Sequence, residues 1–125
     1  MLRSTSMAVL ALIGGTLIVT ATAAVAHPKL VNSDPAADAV VDSSPKELRL
    51  SFNEVLVAKF SGAELKDQQG QTVELGSGAT DPADKKQLVV PVPAPLAAGV
   101  YKVDWHAVAA DTHRIQGSYS FTVKR

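Results

Sequence analysis

Apolar and polar residues alternate along much of the chain after residue 27. Alternation places successive side chains on opposite faces of the backbone, which predicts β-strands with one buried face. The pattern is clearest at 48–52, 101–107 and 119–123. Shorter segments are predicted as further strands, at 55–60, 63–66, 72–75 and 87–92. About seven short strands and no amphipathic helix indicate an all-β fold, an immunoglobulin-like sandwich or Greek-key barrel.

Turn-forming residues separate these strands and refine the prediction. Gly, Asp and Pro cluster between strands, as they do at 67–70. Pro91 has no amide hydrogen, so the strand around it is expected to lie at a sheet edge or to end there. Residues 76–86 are rich in Gly, Asp and Lys and are predicted to form a mobile loop. Trp105 and Phe60 are predicted to lie in the core.

Residues 1–26 have the composition of a secretory signal peptide. Arg3 precedes an apolar stretch over 7–19, no acidic residue occurs, and the segment ends in the small residues of 24–26. This order is typical of a signal peptide with an A-x-A cleavage site. The apolar stretch is shorter than the ~20 residues that a membrane-spanning helix needs. We therefore predict cleavage after residue 26, a mature domain over 27–125 that is secreted or periplasmic, and no membrane insertion after cleavage.

Charge and sulfur content exclude several functions. The 12 basic and 12 acidic residues form no block of like charge, so the chain has no electrostatic footprint for nucleic acid. The absence of Cys excludes disulfides, thiolate metal sites and thiol nucleophiles. Met1 and Met7 both lie within the predicted signal peptide. The mature domain therefore has no soft sulfur ligand for Cu(I).

Cleavage after Ala26 would make His27 the first residue of the mature protein. A free α-amine and the Nδ1 atom of the same His can bind one metal ion as a chelate. The next residue, Pro28, has no amide hydrogen and cannot add a deprotonated amide nitrogen to that chelate. The remaining ligands of such a site must come from elsewhere in the chain.

Asp111 and His113 are the candidates for those ligands. Residues two apart in an extended segment project to the same side, so this carboxylate and this imidazole could face one ion. An amine, two imidazoles and a carboxylate suit tetragonal Cu(II), with Zn(II) and Ni(II) as competitors. Glu54 is a further candidate, as an outer residue or a weak ligand. His106 is interpreted as a surface residue or an outer residue of the site.

In combination, these residues resemble the CopC-type periplasmic copper-binding proteins. The resemblance covers essentially the whole mature chain and rests on an ordered set of motifs: HPKLV at 27–31, SFNE at 51–54, FSGA at 60–63, YKVDW at 101–105, DTH at 111–113 and GSYSF at 117–121. It implies a Greek-key β-barrel of immunoglobulin-like shape. It also implies one Cu(II) ion per chain, bound by His27, Asp111 and His113, with the acidic residue of the family at Glu54.

The chain departs from part of that family in one region. Some members carry a second site, for Cu(I), in a Met-rich loop with an additional His. The matching region here, 68–84, contains neither Met nor His. We therefore predict a member that binds only Cu(II), in agreement with the lack of sulfur in the mature chain.

The sequence thus predicts a periplasmic Cu(II)-binding protein for copper resistance or homeostasis, which sequesters or delivers the ion and is not an enzyme. The resemblance implies an inner-membrane CopD-type copper transport protein as its partner. Two alternatives stay open. A copper monooxygenase of the lytic polysaccharide type also uses an amino-terminal His on a β-sandwich, and it would cleave chitin or cellulose oxidatively. A metal-free interaction or adhesion module would bind its partner without any need for His27.

Overall fold

Nine β-strands form two sheets within residues 14–18 and 29–125, which are the residues that this computed structural model describes. In chain order the strands are β1 (Leu30–Asp34), β2 (Val40–Val41), β3 (Glu47–Phe52), β4 (Gly62–Lys66), β5 (Thr72–Val73), β6 (Ala79–Asp81), β7 (Asp84–Pro91), β8 (Gly99–Val108) and β9 (Arg114–Val123). A 3₁₀ turn over Ala58–Phe60 lies between β3 and β4. The all-β prediction is confirmed, with two more short strands than expected.

The two sheets differ in size and in strand direction. The first has four antiparallel strands in the order β1-β3-β7-β6. The second has five strands in the order β2-β9-β8-β4-β5, in which β2 is parallel to β9. The β8–β9 ladder runs without interruption from the Gly99–Val123 pair to the Val108–Arg114 pair. Residues 109–113, which connect these two strands, therefore lie at one end of the second sheet.

Inward-facing residues of both sheets form one apolar core. Leu50 is fully buried and Phe52 is nearly so, as the alternation along β3 predicts. Trp105 is half-buried and packs edge-on against Phe52, with 5.3 Å between the ring centroids. The largest fully buried side chains are Phe121, Leu48, Leu50, Leu65, Leu88, Val90 and Val103.

The predicted strand at 55–60 is wrong. Leu56 makes an isolated β-bridge, and Ala58–Phe60 form the 3₁₀ turn. The turn forms because the Val57 carbonyl accepts a hydrogen bond from the Phe60 N–H at 3.1 Å, which bends the backbone away from the sheet. Phe60 is consequently 55% exposed, and the prediction that it lies in the core is also wrong.

The predicted loop at 76–86 contains regular structure, because β6 and the start of β7 lie within it. Arg49 on β3 contacts the Asp81 carboxylate at 3.0 Å, and Asp81 accepts a hydrogen bond from the Ala83 N–H at 2.8 Å. These contacts hold the turn between β6 and β7. β7 lies between β3 and β6 rather than at an edge, but it ends at Pro91, which is the other outcome that the prolines predict.

Most of the predicted signal peptide lies outside the described residues. Its described part, residues 14–18, has no regular secondary structure, and Leu17 and Ile18 are largely exposed. Cleavage after residue 26 stays a prediction. No helix within residues 14–18 and 29–125 is long and apolar enough to cross a bilayer.

Candidate metal site

The connection between β8 and β9 is tight and carries two of the predicted ligands. The Ala109 N–H donates to the His113 carbonyl at 3.1 Å, and the Thr112 N–H donates to the Ala109 carbonyl at 2.9 Å. Thr112 has a φ of 72°, a left-handed conformation that is unfavourable for a β-branched residue. The prediction of an extended segment here is therefore wrong, although Asp111 and His113 do come together.

Asp111 and His113 contact each other directly. The Asp111 Oδ2 lies 2.9 Å from the His113 Nδ1, and the Asp111 Oδ1 accepts a hydrogen bond from the His113 main-chain N–H at 3.2 Å. The hydrogen bonds from His113 hold the pKa of the Asp111 carboxyl below its usual value, so the carboxylate is ionised at neutral pH. When Nδ1 carries the proton of this contact, the lone pair of the ring is on Nε2.

Both side chains of this pair are open to solvent. The His113 side chain is 53% exposed and that of Asp111 is 47% exposed. An ion arriving from solvent can therefore reach an ionised carboxylate and an imidazole held together in one turn. These are donors that divalent transition metals accept.

Residues 53–57, here called the bridging segment, connect this turn to the start of the domain. The Val55 carbonyl accepts a hydrogen bond from the Ala110 N–H at 3.1 Å. At the other end, the Asn53 Oδ1 accepts from the Lys29 N–H at 2.7 Å, and the Asn53 N–H donates to the Lys29 carbonyl at 3.2 Å. The first described residue of the domain is thus bound to the segment that contacts the turn.

Of the predicted ligands, the structure brings Asp111 and His113 into contact. Glu54 is half-buried and lies in the bridging segment, between the contacts to Lys29 and to the turn. Across the described ranges 14–18 and 29–125, no three His, Cys, Asp or Glu side chains are placed so that they could share a metal ion. His27 lies outside these ranges. The roles of His27 and Glu54 therefore stay predictions.

His106 lies on the outer face of the second sheet, because it alternates with the inward-facing residues of β8. Its ring covers Gly62, where an added Cβ would be 3.2 Å from the His106 Cε1. It lines an open groove together with Asp104. The Asp104 carboxylate faces Lys102 at 3.5 Å and Lys66 at 3.8 Å, and these cations disfavour a metal ion beside it. This placement agrees with the interpretation of His106 as a surface residue.

The contact between Asn53 and Lys29 was not predicted from the sequence. The two residues are 24 positions apart, and neither an Asn nor a Lys indicates such a contact by its type. The one available signal was the position of Asn53 within the SFNE motif at 51–54. That motif carried the resemblance to a family but gave Asn53 no role.

Comparisons of the sequence with known proteins point to copper. The profile of the CopC domain matches residues 30–124. The chain is 42% identical over 119 residues to copper resistance protein C of Escherichia coli, which covers 90% of this chain and 94% of that protein. It is also 26% identical over 98 residues to copper transport protein CutJ of Bacillus subtilis (strain 168), where the match covers 78% of this chain and 18% of that protein.

Comparisons of the fold agree with the sequence. The crystal structure of CopC from Methylosinus trichosporium OB3b superposes with a TM-score of 0.73 at 29% identity, covering 78% of this chain and 94% of that chain. The crystal structure of PcoC, named as a methionine rich copper resistance protein from Escherichia coli, gives a TM-score of 0.70 at 44% identity. That match covers 79% of this chain and 100% of the other.

Proposed function

The chain belongs to the CopC family, and on this premise we propose that it is a periplasmic Cu(II)-binding protein of copper resistance or homeostasis. It takes up the ion and sequesters or delivers it, without catalysis. The observation that supports a specific site is the contact between the Asp111 carboxylate and the His113 imidazole at 2.9 Å, in an exposed turn.

The proposed ligand set joins this pair to the amino terminus of the mature protein. Signal peptide cleavage after residue 26 frees the α-amine of His27, and the amine and its Nδ1 form a chelate. An extended chain advances at most about 3.6 Å per residue, so His27 can lie no more than about 7 Å from Lys29. Lys29 is bound to the bridging segment, which also contacts the turn, and this supports a chelate beside Asp111 and His113.

The donors of this set favour Cu(II) over Cu(I). Two nitrogens from His27, one from His113 and a carboxylate oxygen suit the tetragonal geometry of Cu(II). A relative is named as methionine rich, whereas the Met residues of this chain are at positions 1 and 7 only. After cleavage no thioether remains to bind Cu(I). Glu54 is proposed as an outer residue or a weak ligand, because it lies in the bridging segment beside the site.

The proposed partner is an inner-membrane copper transport protein of the CopD type. Support comes from the match to copper transport protein CutJ, in which the region similar to this chain is 18% of a much longer protein. A domain that forms part of a copper transport protein in one species can act, as a separate chain in another species, as copper donor or acceptor to such a protein. The predicted signal peptide supports export of the protein, and with it the proposed periplasmic location.

Electron paramagnetic resonance on the mature protein, residues 27–125, tests the proposal. One equivalent of Cu(II) should give a tetragonal, nitrogen-rich spectrum. A matched variant with one extra Ala before His27 converts the amine into an amide, so the spectrum should change or disappear. Identical spectra from the two proteins would contradict the amino-terminal chelate, and the absence of specific binding would contradict the function.

A further inference from the structure

Asn53 holds the start of the domain through two hydrogen bonds to the same residue. Its Oδ1 accepts from the Lys29 N–H at 2.7 Å, and its main-chain N–H donates to the Lys29 carbonyl at 3.2 Å. Both bonds involve main-chain groups of Lys29, so they fix the position and direction of the backbone. They follow directly on the Leu30–Phe52 pair, which ends the β1–β3 ladder. The Asn53 side chain thus extends the pairing of β3 with β1 by one residue, to Lys29.

The bridging segment that contains Asn53 is itself firmly held. Leu56 is 6% exposed, and its N–H donates to the Lys85 carbonyl at 3.0 Å. The Val57 N–H donates to the Val108 carbonyl at 2.8 Å, at the end of β8. A buried side chain and hydrogen bonds to two strands restrict the motion of this segment. The bridging segment therefore keeps its two ends at a fixed separation.

We propose that Asn53 is a positioning residue for copper, which sets the amino-terminal His27 against the turn that carries Asp111 and His113. The inference rests on the proposed function. Asn53 binds Lys29, two residues after His27, and two residues further along the bridging segment Val55 binds the turn. One short segment thus holds both halves of the site at a set separation.

The two hydrogen bonds between Asn53 and Lys29, here called the clamp, matter because ordering a chain end costs free energy. A free amino terminus loses conformational freedom when it binds a metal, and this loss reduces the affinity. A terminus that is already held two residues away loses less. Removal of the Asn53 side chain should therefore weaken Cu(II) binding by about two- to tenfold, the range expected for the net value of one hydrogen bond.

The test compares Asn53→Ala with Asn32→Ala in the mature protein. Asn32 is the exposed Asn of β1, so its replacement is a matched control. Cu(II) dissociation constants are measured by competition with a chelator, bound copper is examined by electron paramagnetic resonance, and thermal unfolding verifies that each variant folds. We expect Asn53→Ala to raise the dissociation constant and broaden the copper spectrum, and Asn32→Ala to change neither.

A measurement without metal identifies the clamp itself. Hydrogen exchange at the Lys29 amide should accelerate in Asn53→Ala, and Asn53→Asp should restore slow exchange because it keeps an acceptor oxygen in place. Lys29→Pro removes the donor and leaves Asn53 intact, so it should weaken copper binding to a similar degree. This second variant keeps the test valid if Asn53→Ala does not fold.

Two results would overturn the inference. Unchanged exchange at Lys29 in Asn53→Ala would mean that the clamp does not hold the terminus. Faster exchange with unchanged copper affinity and spectrum would mean that the clamp does not serve the site. Failure of the proposed function is distinguishable from both, because it would appear in the unmodified protein as a spectrum that is insensitive to the extra Ala before His27.

Discussion

Asp111 contributes to the proposed site as a charge and as a partner of His113. Its carboxylate contacts the ring and the main chain of His113, so it orients the imidazole whether or not it also binds the metal. The left-handed backbone at Thr112 between them brings the two side chains onto one side of the turn. Neutralising Asp111 should therefore remove its charge and weaken its contacts with the imidazole.

We expect Asp111→Asn to weaken Cu(II) binding by about 10- to 100-fold, as found when a residue that orients or supports a metal ligand is changed. A competition titration of the mature protein measures the effect. Asp104→Asn is the matched control, because Asp104 lies on the outer face of the sheet beside Lys102 and Lys66. Equal affinities for the Asp111→Asn variant and the unmodified protein would rule Asp111 out of the site.

Gly117 allows the Trp105 ring to lie against β9. The two residues are cross-strand partners, and a Cβ at Gly117 would be 2.5 Å from the Trp105 Cζ2 and 2.9 Å from its Cε2. The edge-on contact of the ring with the buried Phe52 opposes its displacement. Gly117→Ala should therefore lower the free energy of unfolding by about 1–3 kcal/mol, the usual cost of overpacking.

Urea denaturation followed by fluorescence of Trp105, the one Trp of the chain, measures this loss. The emission maximum of the folded variant should also shift as the ring is displaced. Ser118→Ala changes the next residue, which is exposed, and should leave both quantities unchanged. A Gly117→Ala protein as stable as the original would show that the ring is readily displaced.

At the scale of strands, Arg49 connects β3 with β6 and β7 on one face of the first sheet. From β3 it reaches Asp81 on β6 at 3.0 Å and Gln87 on β7 at 2.6 Å, and it also contacts Glu47 at 2.7 Å. A hydrogen bond from the Ala83 N–H and the Arg49 guanidinium lower the pKa of Asp81 below its usual value of 3.8. The ionised Asp81 therefore stabilises the folded state.

The lowered pKa of Asp81 predicts that the folded protein loses stability in acid. Because the pKa of Asp81 is lower in the folded than in the unfolded chain, its contribution is complete above pH 3.8 and is lost as the pH falls through the folded value. The unfolding free energy of the unmodified protein should exceed that of Asp81→Asn at neutral pH, and the difference should shrink below pH 3.8. Denaturant titrations across this range measure it. A difference that does not vary with pH would contradict the assignment.

The sequence predicted some strands and missed others for physical reasons. Strands with one face in the core, such as β3 and β9, show clear alternation because their inward residues must be apolar. β1 was missed because it lies at a sheet edge, and Val31 within it is 67% exposed. β2 has only two residues and depends on its parallel pairing with β9, which leaves no local pattern.

The residue types of the candidate site are apparent from the sequence, and the contacts between them are not. The spacing of Asp111 and His113 indicated a shared role, but the turn that brings them into contact depends on a left-handed Thr112, which no local rule predicts. The contact of Asn53 with Lys29 joins residues 24 apart and arises from strand register. The candidate residues are therefore apparent in the sequence, whereas the contacts between them depend on the whole fold.

At the scale of the whole molecule, the proposed ligands come from the two ends of the mature chain. His27 precedes β1, while Asp111 and His113 lie between β8 and β9, so the proposed site requires the folded protein. A ligand that binds the folded state alone stabilises it by mass action, by about 2.7 kcal/mol when its free concentration is about 100 times the dissociation constant. Copper binding should therefore be measurable as a gain in stability.

At a free Cu(II) concentration of about 100 times the dissociation constant, we expect the unfolding free energy of the mature protein to rise by about 2.7 kcal/mol. A chelator should reverse this gain. The gain should fall as the pH decreases, because the amine and both imidazoles must lose protons to bind the metal. The form with one extra Ala before His27 has the same core and the same turn, but its His27 nitrogen is an amide instead of an α-amine, so its gain should be much smaller. Denaturant titrations of both forms, with and without Cu(II), measure the difference. Equal gains in the two forms would place copper on the folded domain without His27, and the link between signal peptide cleavage and metal binding would then be lost.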